Sequence, residues 1–406
     1  MNSANTKSFL FLQTIASPFF KQLGMGLSKE GHSVHKINFN GGDWLFWHGF
    51  NEINFTGKPS EFTTFVHEIF DQLSVTDIVL FGDCRPWHTK AIELAKLNGI
   101  QVWVFEEAYL RPHWVTLEAG GVNGNSSFSF PEILEKSKNN IHNDITDEPV
   151  GGGLKHRISY DFAYNFASLF LKWKFPYHKT HRPYVIWHEY ASWCRRLIKL
   201  TWMRKQAQKT IETLSTRKES VFLFPLQLDS DSQLRVHSDF TDMKDAIAFV
   251  IESFTNNADK HSHLLIKNHP LDNGMVNYRQ HIEKLAFHHG IESRVFYIDG
   301  GDLNKILSFC KGVVTINSTV GMTALDKDIP VMVLGASIFS VKGLVSKFSD
   351  TDFWRNPIKP DQTLYEMFKA SLMRHCHVNG NFYTKPGIHL AVANSLSRLV
   401  NSTKVR

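Results

Sequence analysis

"VFLFPLQLDSDSQLRVHS", residues 221–238, is the stretch on which the reading of the fold turns. Its first eight residues form an apolar, β-rich run with the composition of a buried parallel strand. The chain leaves that run and at once presents Asp229, Asp231, Gln233, Arg235 and His237. An open α/β sheet collects polar groups around a ligand at the C-terminal ends of its strands. Turn chemistry explains one aspartate comfortably, since Asp bonds its own backbone. It does not explain the polar residues that alternate afterwards.

The same signal recurs on both sides. Downstream come HLLIKNHP, RVFYIDG, GVVTINS and PVMVLGA, with helix-like segments between them. Upstream, SFLFLQT (8–14), SVHKINF (33–39), DIVLFG (77–82) and QVWVFEE (101–107) alternate with PFFKQLGMGLSKEG, EFTTFVHEIFDQL and HTKAIELAKLNG. This rhythm predicts two doubly wound parallel sheets with crossover helices. Between the two series, residues 155–205 hold eleven Lys or Arg against Asp161 and Glu189, and four of the ten tryptophans. The expected organisation is a Rossmann-like domain over 1–150 and a basic, Trp-rich helical connecting segment over 151–215. A second Rossmann-like domain over 216–375 follows, and then a helix over 376–406 that packs back on the first. Two such domains facing a cleft are a GT-B-like arrangement, although a doubly wound sheet alone hosts many functions.

Composition narrows the classes. The 406 residues are 42% hydrophobic and 21% charged, as in a globular protein with room for two cores. No apolar run reaches the roughly 18–20 residues of a spanning helix. The N-terminus reads as a first strand rather than a signal peptide. Cys84, Cys194, Cys310 and Cys376 have no CxxC spacing, so no zinc knuckle or disulfide framework is expected, and a cytoplasmic protein is the default. Neither domain carries GxGxxG after its first strand or GxxxxGK[ST], which demotes dinucleotide oxidoreductases and P-loop NTPases. No nucleic-acid motif accompanies the basic stretch.

The remaining polar clusters fall where strands end. DIVLFG leads into Asp83, Arg85 and His88; QVWVF leads into Glu106, Glu107 and Arg111. Adjacent carboxylates at a strand end repel, and burial raises the pKa of such a group, which suits proton transfer near neutrality. The plainer reading is a solvated pair bridged to the two arginines. LLIKNHP ends in Lys267, Asn268, His269 and Pro270, and GVVTINSTV places Asn317, Ser318 and Thr319 at a turn into a helix. Hydroxyls and N–H groups there make an anion site; simple N-capping also accounts for them. His375 and His377 in RHCHV have no third ligand at recognisable spacing and read as a solvated loop, so no metal is expected.

Several long blocks carry a resemblance. FFKQLGMGLSKEGHSVHKINFNGGDW, LFGDCRPWH, FEEAYLRPHWVTLEAGGVNGNS, LQLDSDSQLRVHS, IKNHPLDNG and VTINSTVGMTAL resemble, in order, the motifs of KpsS-type capsule polysaccharide proteins. The resemblance implies a cytoplasmic, retaining β-Kdo transferase of GT-B fold. Such a protein moves Kdo, an acidic eight-carbon sugar, from CMP-β-Kdo to a (lyso)phosphatidylglycerol acceptor, and so starts the poly-Kdo linker of a capsule. It implies Asp231 as nucleophile and Glu106 or Glu107 as base. It puts Lys267, His269, Pro270, Asn317, Ser318, Thr319 and Gln233 on the CMP donor, and Arg85 and Arg111, with Asp83, at the Kdo carboxylate or acceptor phosphate. No metal or other cofactor is implied. Two departures stand out: Ala108 where the acidic pair is usually followed by glycine, and Thr323 where the related chain-extending enzymes carry glutamate.

A lipid acceptor gives the basic, Trp-rich stretch a purpose, because basic residues and tryptophan favour an anionic membrane surface. The expectation is peripheral association with the cytoplasmic face of the inner membrane through roughly 155–205, including Arg195, Arg196 and Lys199. The plainer alternative is a helical linker with core tryptophans and solvated charges. Two competing functions remain: a non-catalytic CMP-sugar and lipid-binding factor working with other capsule assembly proteins, and a transferase using another CMP-sugar. The second of these should invert and need no nucleophile.

Overall fold

The computed structural model describes residues 6–110, 112–137, 148–178, 186–229, 234 and 237–401; over 186–198 it describes the side chains of Ser192, Arg195 and Arg196. The chain forms two compact units, one of residues 1–181 and 369–406 and one of residues 182–368.

In the first unit, strands β1 (Ser8–Phe11), β2 (Ser33–Asn38), β3 (Glu52–Asn54), β4 (Asp77–Phe81), β5 (Gln101–Glu107), β6 (Trp114–Ala119) and β13 (His377–Asn379) form one sheet in the order β13-β6-β5-β4-β1-β2-β3. Helices α1 (Phe19–Lys29), α2 (Gly41–Trp47), α3 (Phe62–Gln72) and α4 (Pro86–Leu97) are the crossovers; α5 (Phe130–Lys136) and α6 (Leu154–Phe170) follow β6. The central strands are apolar throughout because both faces are covered. Phe9 and Phe11 pack with α1 and the C-terminal helix α13 (Lys385–Asn401), while Leu10 and Leu12 pack with α3 and α4.

The sheet is mixed, which corrects the all-parallel expectation. β6 runs antiparallel to β5, and β13 antiparallel to β6. Only residues 108–113 separate β5 from β6, and a parallel return needs a dozen or more residues. The RHCHV reading is corrected too. His375 ends helix α12 (Gln362–His375), Cys376 is buried, and His377 lies in β13, where its Nε2 accepts the Tyr109 N–H at 3.1 Å. Burial pushes the His377 pKa down to about 3, so the ring stays neutral.

The NGGDW stretch owes its glycines to close packing. A Cβ on Gly41 would overlap the Ala167 carbonyl of α6, and one on Gly42 would come within 2.5 Å of the Tyr164 ring. Asn40 caps α2 by accepting the Asp43 N–H at 2.9 Å, and Asp43 accepts the Phe39 N–H at 3.1 Å.

In the second unit, β7 (Val221–Pro225), β8 (His263–Lys267), β9 (Val295–Ile298), β10 (Gly312–Thr315), β11 (Val331–Val333) and β12 (Ser346–Lys347) form a wholly parallel sheet in the order β12-β11-β10-β7-β8-β9. Its helices are α7 (Ile186–Ser215), α8 (Met243–Asn257), α9 (Tyr278–His288), α10 (Leu303–Leu307) and α11 (Val320–Leu325), and the chain passes back to the first unit within α12. Apart from β13, both sheets wind outward from their first strand and reverse at their fourth. Each therefore has one topological switch point, between β1 and β4 and between β7 and β10, where doubly wound sheets bind ligands.

The basic segment is divided between the units: α6 belongs to the first and α7 to the second. Arg196 is not part of a solvent-facing basic surface, which corrects its expected role. It is buried, with Nη1 2.9 Å and Nη2 2.5 Å from the Asp299 carboxylate and a further contact to Asp272 at 3.4 Å. The α-helical period turns it inward, while Arg195 and Lys199 stay exposed. Among the described residues, no helix is long and apolar enough to cross a membrane.

Candidate functional site

At the switch point of the first unit, the buried Gln13 and Thr14 follow β1, and Gly82 and Asp83 follow β4. Glu106 reaches this place from the end of β5. A Cβ on Gly82 would lie 3.2 Å from Glu106 Oε2, so glycine there leaves room for the carboxylate. Arg85 is the residue just before α4, with its guanidinium 5.5 Å from the centre of the Phe81 ring and Nη1 3.5 Å from the Thr14 carbonyl.

Successive strand residues face opposite sides of a sheet, so Glu106 and Glu107 are separated by geometry. Glu107 Oε1 accepts the Tyr383 hydroxyl at 2.8 Å and pairs with Arg157 at 3.1 Å. Glu106 Oε1 accepts the Glu107 N–H at 3.0 Å. Asp83 holds the following loop: its Oδ2 accepts the Val122 N–H and the Asn125 amide, both at 3.0 Å. His88 is buried and donates from Nδ1 to the Gly82 carbonyl at 2.5 Å. A second buried acid, Glu118, holds the same loop by accepting the Tyr109 hydroxyl at 2.9 Å and the Ser126 hydroxyl. Burial raises the Glu118 pKa to about 7.

A polar network closes the other side of this switch point. The Tyr164 hydroxyl of α6 donates to Asp43 at 3.0 Å and accepts from Asn40 at 2.8 Å and Gln13 at 3.1 Å. Burial, then the Asp43 charge, raises the Tyr164 pKa, so the phenol keeps its proton.

The second unit's switch point is marked by a reciprocal pair. Gln227, just beyond β7, donates from Nε2 to Asn317 Oδ1 at 2.8 Å, and the Asn317 N–H returns a bond to Gln227 Oε1 at 3.2 Å. Ser318 Oγ accepts the Val320 N–H at 3.3 Å just ahead of α11; the N-cap residue itself, Thr319, makes no side-chain cap bond. At the end of the neighbouring β8, Lys267 is buried, and burial lowers its pKa. Arg196 takes both oxygens of nearby Asp299, while Lys267 Nζ reaches the Asn268 carbonyl at 3.5 Å. His269 accepts the Leu271 N–H at Nδ1 (3.1 Å), which makes Nε2 its donor nitrogen; Pro270 is exposed. Asp229 bonds the Met243 N–H at 3.1 Å, at the start of α8.

Asp231, Gln233, Arg235 and Arg111 lie outside the described residues. Among the described candidates, Glu106 and Arg85 thus stand beyond the neighbouring strands β5 and β4, Lys267 and His269 at the end of β8, and Asn317 and Ser318 beyond β10. Among the described residues, no group of three or more His, Cys, Asp or Glu could hold a metal ion.

Residues 76–383 match the family described as capsule polysaccharide biosynthesis proteins. The chain belongs to that family. This capsule biosynthesis protein is 33% identical over 383 residues to the capsule polysaccharide export protein KpsS of Escherichia coli, covering 93% of this chain and 97% of that one. It is 30% identical over 394 residues to the capsule polysaccharide modification protein LipB of Neisseria meningitidis serogroup B, covering 94% of this chain and 93% of the relative. Among solved structures it is similar to Thermosulfurimonas dismutans KpsC, titled a beta Kdo 2,7 transferase, with 13% identity, a TM-score of 0.48 and coverage of 97% and 99%.

Both departures from the family pattern are accommodated in this capsule biosynthesis protein. Ala108 is fully buried against Trp114 and Met373 and is not among the residues with positive φ, so no glycine is needed there. Thr323 turns back along its own helix and bonds the Thr319 carbonyl at 3.3 Å. Sequence reasoning missed Gln13, Tyr164, Arg157, Tyr383 and Gln227 as site-forming groups. Gln13 and Gln227 follow β1 and β7, so the strand-end rule could have found them. Arg157, Tyr164 and Tyr383 come from distant segments and leave no local signal.

Proposed function

We propose that this capsule biosynthesis protein is a glycosyltransferase, specifically a retaining β-Kdo transferase. It moves Kdo from CMP-β-Kdo to (lyso)phosphatidylglycerol and starts the poly-Kdo linker of a capsular polysaccharide. The observation that carries this reading is the chemistry at the two switch points. One carries a cation, an imidazole and amides suited to a nucleotide phosphate. The other carries a carboxylate and an arginine suited to deprotonating and positioning a hydroxyl acceptor.

Lys267, His269 and the Asn317–Thr319 turn hold the CMP phosphate, with Pro270 shaping the turn and Gln233 alongside. Asp231 attacks the anomeric carbon of Kdo, and CMP leaves with the bonding electron pair. The acceptor hydroxyl then gives its proton to Glu106 and displaces the Asp231 carboxylate, so two inversions retain the β configuration. Glu106 is assigned as base because its Oε2 lies beside Gly82 at the end of β4, whereas Glu107 is engaged by Tyr383 and Arg157. Arg85 and Arg111 receive the Kdo carboxylate or the acceptor phosphate, while Asp83 positions the loop beside them. The phosphate charge is met by these side chains, and no metal or other cofactor is invoked. A phospholipid acceptor places the protein on the cytoplasmic face of the inner membrane, with the exposed Arg195 and Lys199 of α7 available to anionic headgroups.

The test is incubation with CMP-β-Kdo and a fluorescent phosphatidylglycerol analogue, followed by intact mass of lipid and protein. One Kdo on the lipid, and a Kdo adduct on Asp231 when acceptor is withheld, is the expected result. The name of the Escherichia coli relative, an export protein, favours a second reading: a CMP-sugar and lipid-binding factor without turnover. CMP binding with neither product nor adduct across several acceptors selects it.

A further inference from the structure

Helix α6 has two apolar faces, and among the described residues only one is covered. Tyr164 and Ala167 press against the two glycines of α2, and Ser168 Oγ accepts the Gly42 N–H at 3.0 Å. On the opposite face Leu154, Ile158, Phe162 and Phe166 are each 60–61% exposed, and Phe170 is 72% exposed. Leu169 is also exposed, and in the turn that follows Trp173 is 76% exposed. Isolated exposed apolar residues need no explanation, but a continuous strip along a 17-residue helix does. Such a helix is about 25 Å long.

The strip has the form of a ridge. The Phe162, Phe166 and Phe170 rings lie side by side, with centroids 6.4 and 6.3 Å apart and interplanar angles of 16° and 10°. Its spacing is four residues repeated from 154 to 170. A coiled-coil seam alternates steps of three and four, so this strip is not a coiled-coil seam. Charge decides the occupant. Lys155 and Lys172 are exposed at the two ends, Lys174 lies 4.9 Å from the Trp44 ring centre, and Asp161 is the sole acidic residue between 150 and 178. An apolar strip bordered by lysines, with tryptophan at one end, suits the boundary between headgroups and acyl chains of an anionic bilayer.

We infer that α6 is an in-plane membrane anchor, lying along the bilayer surface with Leu154, Ile158, Phe162, Phe166, Phe170 and Trp173 immersed and its lysines on anionic headgroups. The inference deepens the lipid-acceptor reading and rests on it for the choice of headgroup. The inner face of the helix joins the anchor to the candidate acceptor site: Arg157 pairs with Glu107 at 3.1 Å, and Tyr164 bonds Asp43 and Gln13. Docking through α6 thus fixes the orientation of the Glu106 strand end relative to the membrane. This role belongs to unit-one side chains and is separate from the basic residues of α7.

The experiment is flotation of the full chain with vesicles of phosphatidylglycerol and phosphatidylcholine, and with phosphatidylcholine alone. Wild type floats with the anionic vesicles. The double variant Phe162→Ser/Phe166→Ser loses about tenfold or more of that binding while keeping the wild-type thermal midpoint, and Lys155→Glu/Lys172→Glu weakens binding to the anionic vesicles most at low salt. Wild-type flotation by the Phe162/Phe166 variant overturns the proposal. So does a wild-type dimer, seen by sedimentation velocity, that this variant dissolves without changing vesicle binding, since the ridge would then join two copies. Turnover by the wild type on a short-chain, water-soluble acceptor tests the transferase reading separately. Phe-dependent flotation without turnover keeps the anchor and removes the transferase, and turnover with Phe-independent flotation does the reverse.

Discussion

The two sheets share a winding order and differ in what stands at their strand ends. The first presents Glu106 and Arg85 over a base of buried polar bonds from Tyr164, Asn40 and Asp43. The second presents Lys267, His269 and the Gln227–Asn317 pair. Strand order follows from backbone pairing and crossover handedness, which many sequences satisfy. The chemistry follows from a few side chains that the order delivers to one place. One topology thus supports an acid-bearing site and a cation-bearing site in the same chain.

The largest effect should come from the donor side. Asp231→Asn is expected to lose on the order of 10³-fold or more in kcat with CMP affinity retained; near-normal turnover would remove the nucleophile from the second unit and the comparison with it. Breaking the buried ion pair comes next. Arg196→Met leaves Asp299 unpaired, at a cost of about 3–5 kcal/mol in urea unfolding; a loss under about 1 kcal/mol, the range of a surface pair, would restore Arg196 to the exposed basic face. Glu106→Gln should lower kcat by roughly 10²-fold or more as a lost base, with Glu107→Gln costing less activity and more thermal stability. Equal losses in both would show that the strand's alternation does not divide their roles.

The smallest effect is a pH slope that distinguishes the loop of the first unit. Glu118 titrates near 7 in the folded chain, above its unfolded value of 4.5. Its protonated form is therefore favoured by folding, and the contribution is complete below 4.5 and lost as pH rises through about 7. Wild-type stability should fall across that window by on the order of 1 kcal/mol per pH unit from this group. Glu118→Gln should flatten the slope, as followed by urea midpoints from pH 4.5 to 8. An unchanged slope would mean that Glu118 is already ionised and that the loop is held by a charge.

Strands were the most legible part of the chain. DIVLFG, QVWVFEE, VFLFPLQ and HLLIK each became a strand within a residue or two of expectation, because a parallel strand buried on both faces must be apolar throughout. β6 and β13 were not legible. HVN is three residues long, WVTLEA has Thr116 and Glu118 within its apolar run, and their pairing depends on a close return and on a C-terminal segment more than 250 residues away. Site residues that end strands could be found from order alone, as with Glu106, Lys267 and His269. Their partners could not: Glu107 meets Arg157 and Tyr383 through contacts at sequence separations that no local pattern encodes.

Arg195 and Arg196 draw the boundary. By itself the sequence determined that the chain carries two doubly wound sheets and where their polar strand ends fall, since apolar runs and their breaks are local properties. It also determined that basic and aromatic residues concentrate over 155–205. Tertiary structure alone decided that Arg196 is spent on Asp299 while Arg195 faces water. It decided likewise that α6 packs Tyr164 and Ala167 against α2 and leaves Phe162 and Phe166 outside. Burial is settled by whatever packs against each face of a helix, and that neighbour comes from elsewhere in the chain.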